Sequence, residues 1–402
     1  MARLIYLDYN ATTPVDPQVL ARMLPYFTEH YGNASNKAHA FGWAADEAVE
    51  QAREEVAALL GAEPGEILFT SGATEAINTA IKGVAEVYGS KGNHLVTVAT
   101  EHKAVLNACR ALERRGFRTT VLPVDAEGRV DPDAVEAALT DETLLVAVMQ
   151  ANNETGTLQP IEEIGRRVRA RGVLFLTDAT QAVGKVPVSV EHVDLLACSA
   201  HKFYGPKGVG ALYIRRRPRV RLVPLLDGGS QENGLRGSTL NVPGIVGMGA
   251  AAAVAMNNLD EERQRLRTLR DRLEAALLAV LPDLRVNSGG TPRLPQTASL
   301  TFPGLSAAHL MRTLRGLALS AGSACATGNT NPSHVLKALG HSNADAAATL
   351  RFSLGRFTTQ AEVDEAARQV VSAVEAPSGL RPSPPEGEND SRFQGTSSIS
   401  LP

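Results

Sequence analysis

Cysteine is scarce: Cys109, Cys198 and Cys325 are the three in 402 residues, an odd number at unrelated spacings. Neither a disulfide framework nor a CxxC metal site is available, so any cysteine chemistry belongs to a single thiol. The nine histidines show no HxxxH or HExxH spacing, which leaves zinc chemistry unsupported. No apolar run approaches the ~18 residues that cross a bilayer. The opening MARLIYLDYN lacks the basic stretch, long apolar segment and cleavage site of a signal peptide. The expectation is therefore a cytoplasmic protein with no membrane contact. An excess of one charge is also missing: 40 basic against 43 acidic residues leave a net charge of −3, with no electrostatic reason for general nucleic-acid binding.

Apolar residues at 44% and charged residues at 21% are globular values, and the length fits two or three domains or one large α/β domain with an appendage. From Glu66 onward, apolar β-rich runs alternate with helix-period segments, the pattern of parallel strands joined by crossover helices. The expected strands are EILFT (66–70), HLVTVAT (94–100), TLLVAVMQ (143–150), VLFLTD (173–178) and VDLLACS (193–199). Asp131 and Pro132 are placed to cap and open a helix in DPDAVEAALT. After Pro243 an Ala-rich stretch passes into the amphipathic 260–281 segment, expected as a long helix leading to a second domain. Strands at 297–302 and 349–355 bracket an expected irregular loop from Ser320 to Pro332. More than half of the residues from Pro377 to Pro402 are Pro, Gly or Ser, and such a tail buries too little to order itself.

Three segments point to chemistry. In SAHKFYGPKG, Lys202 follows a strand end; VLFLTD ends in Asp178 with Gln181 just beyond, where ligands bind in open α/β sheets. In EILFTSGATEAIN a strand runs through Gly72 to Thr74 into a helix whose N–H groups suit an anion, although a capping role for Ser71 or Thr74 explains the same turn. An amine for an aldehyde, a carboxylate for a ring nitrogen and an anion cradle are together what pyridoxal 5'-phosphate requires.

With these segments stand LDYNATTPVDP, YGNASNKAHAFG, TEHKAVLNACR, NNETGT, TDATQAVGK, LRGSTLNVPGIVGMG, GSACATG and LRFSLGRFT, in order over roughly residues 4 to 375. The sequence thus resembles the class V PLP-dependent enzymes of fold type I, and within them the NifS/IscS-type cysteine desulfurases. The resemblance implies an α/β fold, with a large domain (16–259) built on a mainly parallel seven-stranded sheet. A smaller α/β domain (1–15 and 260–375) would carry the catalytic-cysteine loop, and 376–402 would be a disordered tail. It implies that Lys202 holds the cofactor covalently and shuttles the α-proton, Asp178 pairs with the ring nitrogen, Gln181 binds the ring oxygen, and His102 stacks on the ring as acid or base.

Ala73, Thr74, Ser199 and His201 would bind the phosphate, with Thr239 contributed across a homodimer; Asn153 and Arg351 would bind the substrate carboxylate. Cys325, in a loop of small residues, would take sulfur from L-cysteine as a persulfide and release L-alanine. The sulfur would then pass to an acceptor protein, such as an iron-sulfur scaffold, or to tRNA thiolation. Selenocysteine lyase, another class V activity and a low-turnover PLP-bound scaffold are the rival readings. Cys109 and Cys198, on apolar segments, are expected to be buried and inert. Departures from the family pattern are Arg236-Gly237-Ser238-Thr239 in place of Arg-Ser-Gly-Thr, Ala34 where Pro is usual, and the residues after Cys325. The RRRPRVR run (215–221) is either a solvated edge or a dock for an acidic acceptor protein.

Overall fold

A computed structural model describes residues 4–321 and 332–376; Cys325 and the tail from residue 377 lie outside the described residues. A seven-stranded sheet dominates, in the order Ile67–Thr70, Gly210–Ile214, Leu195–Ser199, Leu174–Asp178, Thr143–Ala147, His94–Val98, Arg118–Leu122. Gly210–Ile214 runs antiparallel to both neighbours and every other pairing is parallel. All five expected large-sheet strands form; His94–Val98 and Thr143–Ala147 end two or three residues early, and the other three end where expected but begin one or two residues late. Two further strands carry weaker signals. Arg118–Leu122 is an edge strand with exposed polar positions, and Gly210–Ile214 hides behind a Gly/Pro-rich turn.

The inner strands are mostly apolar because both faces are covered. Side chains alternate between two clusters: Phe69, Val96, Val146, Phe175 and Leu196 point to one, and Leu68, Leu95, Leu145, Leu176 and Leu195 to the other. Helices Ala73–Tyr88 and Lys103–Glu113 pack the second face through Ile77, Ile81, Val105 and Leu112.

Helix Val242–Leu278 begins earlier than the amphipathic pattern indicated and runs unbroken for 37 residues, capped by Asn241 on the Gly244 N–H at 3.2 Å. Its first half is glycine- and alanine-rich because helix Ala40–Leu60 lies against it; a Cβ at Gly249 would sit 2.6 Å from Ala52 Cα. Leu266, Leu269, Leu273 and Leu277 in its second half join another cluster with Ile5, Leu7, Leu300 and Phe352. The helix is long and apolar enough by length and composition to cross a membrane, but most of its apolar part is buried within the protein, as in a core helix.

The second cluster of elements surrounds an antiparallel sheet ordered Ser320–Ala321, Thr349–Ser353, Thr297–Thr301, Arg285–Val286. Ser320–Ala321, expected to open the irregular loop, is strand, and residues 322–331 of that loop lie outside the described residues.

The loop that bears Thr239 is tied down by a buried ion pair. Arg53 donates from Nη1 (3.0 Å) and Nη2 (2.7 Å) to Glu232, which also accepts the Phe69 N–H at 2.8 Å. These contacts hold Glu232 and Asn233 in left-handed backbone conformations. Further along, Gly237 crosses Gly228 so closely that a Cβ would come within 2.6 Å of the Gly228 Cα, whereas Ser238 takes φ 104°. The swapped Gly-Ser order therefore puts glycine where space is needed and leaves serine where glycine's torsional freedom would help.

Replacing Glu232 by Ala strands a buried guanidinium, and urea unfolding is expected to show a loss of about 3–5 kcal/mol. Glu50→Ala, which removes the exposed partner of the same arginine, is expected to cost under about 1 kcal/mol in the same assay.

Candidate active site

A cavity of about 600 Å³ opens at the carboxyl ends of the large-sheet strands. Ala73, Thr74, His102, Asn153, Asp178, Gln181, Ser199, His201, Lys202 and Arg351 all line it, drawn from segments up to 278 residues apart. Thr239 does not line the cavity of its own chain; it is exposed on the loop anchored by Glu232.

Strand Leu195–Ser199 delivers Lys202 through a single 3-10 turn, Ala200–Lys202. The amine donates to the Asn10 and Ala11 carbonyls, both at 2.7 Å. Withdrawal from water, reinforced by the Arg351 charge, pushes the amine down to about 8; Asp178 and Asp8 pull the other way. The turn is held by the N-terminal segment: Thr13 donates its N–H to the His201 carbonyl at 3.0 Å, and its hydroxyl accepts the Tyr204 N–H at 2.9 Å.

The expected anion cradle forms where Ile67–Thr70 meets helix Ala73–Tyr88. Gly72 caps the helix with no side chain of its own, which excludes Ser71 and Thr74 as side-chain N-caps. Ser199 Oγ accepts the Ala73 N–H at 2.8 Å, and Glu75, held by Arg236, accepts the Ser71 N–H at 2.8 Å. Gly72 has φ 153°, and a Cβ on Gly210 would lie 2.6 Å from the Gly72 Cα, so both positions need glycine for the two strand ends to meet. Burial and the neighbouring Lys202 and Lys207 push the His201 imidazole down to about 4, keeping it neutral beside this cradle.

Asp178, buried at its strand end, accepts the Thr180 N–H at 3.0 Å, and Gln181 donates to the Asn10 carbonyl at 2.9 Å. His102 caps helix Lys103–Glu113 by accepting the Ala104 N–H on Nδ1 at 3.1 Å, which leaves the proton of the neutral ring on Nε2. Desolvation depresses its pKa, against the pull of the Asp178 carboxylate. Burial pushes the Cys109 and Cys198 thiols up to about 12, so both stay protonated and unreactive, as their apolar surroundings suggest.

Arg351 rises from strand Thr349–Ser353, donating from Nη1 to the Asn153 carbonyl at 2.7 Å and from Nη2 to Asp8 at 2.6 Å. Sequence reasoning missed Asp8 and Asn10. Asn10 is buried and gives its carbonyl to both Lys202 and Gln181, while its side chain donates to Asn153 O and Thr297. The LDYN motif containing both residues was legible, but nothing local assigns them contacts some 140 to 340 residues away. In the RRRPRVR run, Arg215 is paired with Asp194 at 2.5 Å, and Arg216, Arg217, Arg219 and Arg221 are exposed.

These residues fit pyridoxal phosphate: a side-chain-free cradle at a helix N-terminus for a phosphate, a carboxylate and an amide for a pyridine ring, and an amine held near neutrality for an aldehyde. The arrangement is that of a PLP enzyme of fold type I, and the chain belongs to the aminotransferase class-V family, whose model matches residues 5–366. It is 55% identical over 372 residues, 92% of either chain, to "Cysteine desulfurase IscS" of Anaeromyxobacter sp. (strain Fw109-5). Among solved structures it is similar to a "NIFS-LIKE PROTEIN" (TM-score 0.85, 39% identity, 92% of this chain and 98% of that one). It is also similar to "SspA in complex with cysteine" (TM-score 0.78, 40% identity, 88% and 100%). Its cofactor is pyridoxal 5'-phosphate.

Only the unprotonated amine attacks an aldehyde. Covalent uptake of the cofactor by the apoenzyme, followed by absorbance, is expected to level off above pH about 8 and to fall roughly tenfold per pH unit below it. An ordinary lysine would keep accelerating to about 10.4.

Proposed function

We propose that this protein is a cysteine desulfurase that converts L-cysteine to L-alanine and passes the sulfur, by way of Cys325, to an acceptor protein for iron-sulfur cluster assembly, with tRNA thiolation as a further outlet. The observation that carries the reading is one cavity holding a near-neutral lysine amine, a buried carboxylate, a glycine cradle and a buried arginine.

Lys202 holds the cofactor through its amine, Asp178 faces the ring nitrogen, Gln181 the ring oxygen and His102 the ring face. Ala73, Thr74, Ser199 and His201 take the phosphate, together with Thr239 from a second copy of the chain. Bound pyridoxal phosphate supplies an electron sink for negative charge at the substrate α-carbon. Arg351, beside Asn153, binds the substrate carboxylate, and a guanidinium does this with two parallel hydrogen bonds. Lys202 would move the proton at the α-carbon, and neutral His102, in the same cavity, would accept or give one. The Cys325 thiolate attacks the substrate sulfur: an S–S bond forms, the C–S bond breaks, its electron pair stays with carbon, and protonation there completes L-alanine. The enzyme is left with a persulfide on Cys325, and no external oxidant is consumed.

The homodimer is supported by the exposed position of Thr239 and by the exposed apolar side chains Leu24, Phe27, Tyr31, Phe41 and Trp43. Residues 16–259 act as the cofactor-binding domain, and 1–15 with 260–375 as the smaller domain that carries Arg351 and Cys325; the location is cytoplasmic.

Mass spectrometry after treatment of the holoenzyme with L-cysteine tests the proposal. A one-sulfur adduct is expected on Cys325, absent in Cys325→Ala, with alanine release lost in Lys202→Ala and reduced at least about a hundredfold in Cys325→Ala. A Cys325→Ala enzyme that still releases alanine at the full rate sinks the persulfide assignment.

A further inference from the structure

We propose that Asp8 sets how tightly the site holds a carboxylate, by fixing the Arg351 guanidinium and offsetting part of its charge; this rests on Arg351 being the carboxylate-binding residue. A backbone bridge between Asp8 and Ser353 aligns the N-terminal segment with the strand that bears Arg351. Asp8 Oδ1 then accepts from Arg351 Nη2 at 2.6 Å and from Ser320 Oγ at 2.9 Å, so the carboxylate is itself held from a second side. Arg351 Nη1 is engaged by the Asn153 carbonyl, and Arg351 Nε is buried with no partner. The guanidinium is thus pinned at both Nη atoms, while each Nη keeps a second N–H that can serve an incoming carboxylate in the cavity Arg351 lines.

The side chains of Arg351 and Asp8 are only 10% and 18% exposed, so solvent screens the pair weakly and the negative charge is felt by any second carboxylate. Substrate and product carry the same α-carboxylate. Attraction to it is common to both, so it deepens product binding as much as substrate binding and does nothing for the chemical step. Asp8 lowers both together. Its charge also acts on Lys202, where it opposes the effect of Arg351.

The test uses holoenzyme and two small amines, L-alanine and ethylamine, the second lacking the carboxylate; binding is followed by the cofactor's absorbance. Asp8→Asn keeps an acceptor oxygen for Arg351 but removes the charge. It is expected to bind L-alanine about tenfold more tightly and ethylamine as before, because a like charge within a few ångströms is worth about one unit of log affinity or more. Asp8→Ala also frees the guanidinium and is expected to lose most of that gain. Arg351→Lys is expected to weaken L-alanine at least about tenfold and spare ethylamine. In apoenzyme, the pH dependence of Lys202 modification is expected to move to lower pH in Asp8→Asn.

Asp8→Asn binding L-alanine no more tightly than the native enzyme, while Arg351→Lys binds it weakly, overturns the role of Asp8 alone. Unchanged L-alanine binding in Arg351→Lys overturns the carboxylate assignment and this proposal with it. Equal changes for L-alanine and ethylamine in Asp8→Asn also overturn the proposal, since they report general damage to the site.

Discussion

Everything in the site depends on keeping one amine out of water without burying it as a bare charge. Lys202 meets that constraint by donating to two backbone carbonyls, Asn10 and Ala11, from a half-buried position. Desolvation favours the neutral amine, and the adjacent Arg351 adds to it. Because the carbonyls are main chain, this depends on where the N-terminal segment is packed more than on any side chain in it. Thr13 and Asn10 bind that segment to the Lys202 turn and to Asn153 and Thr297.

The same economy appears at the anion cradle. Gly210 lies too close to Gly72 for any side chain, Gly72 takes a φ of 153° that favours glycine, and the helix that follows has no side-chain cap. A capping side chain would occupy the first turn, where an anion profits from the N–H groups and the helix dipole. Ser199 instead takes the Ala73 N–H from the neighbouring strand, so the cradle is joined to the strand that carries Lys202.

The residues lining the cavity project from two sheets whose cores are different hydrophobic clusters. Asp178, Ser199 and Lys202 project from the large sheet, whereas Arg351 projects from the four-stranded sheet. Helix Val242–Leu278 spans both, its small residues packed on Ala40–Leu60 and its leucines in the cluster around Phe352. The helix thereby joins the cores behind the two sheets that supply Lys202 and Arg351. The N-terminal segment reinforces this by touching both: Asp8 on Arg351, Asn10 on Lys202 and Gln181.

The sequence by itself determined what repeats locally: five buried strands of the large sheet, the Asp131 helix cap, and the positions of Asp178 and Lys202 at strand ends, because apolar runs and turn residues act over a few neighbours. The resemblance supplied the roles of His102 and Arg351, which in isolation look like any surface histidine and arginine. Tertiary structure alone decided the rest. It turned Arg118–Leu122 into an edge strand and reversed Gly210–Ile214. It placed Ser238 rather than Gly237 at a positive φ, and brought Asp8 and Asn10 against residues some 140 to 340 positions away. Those contacts exist only once the chain has closed on itself, since a carboxylate or a backbone carbonyl carries no mark in the sequence of the charge it will meet.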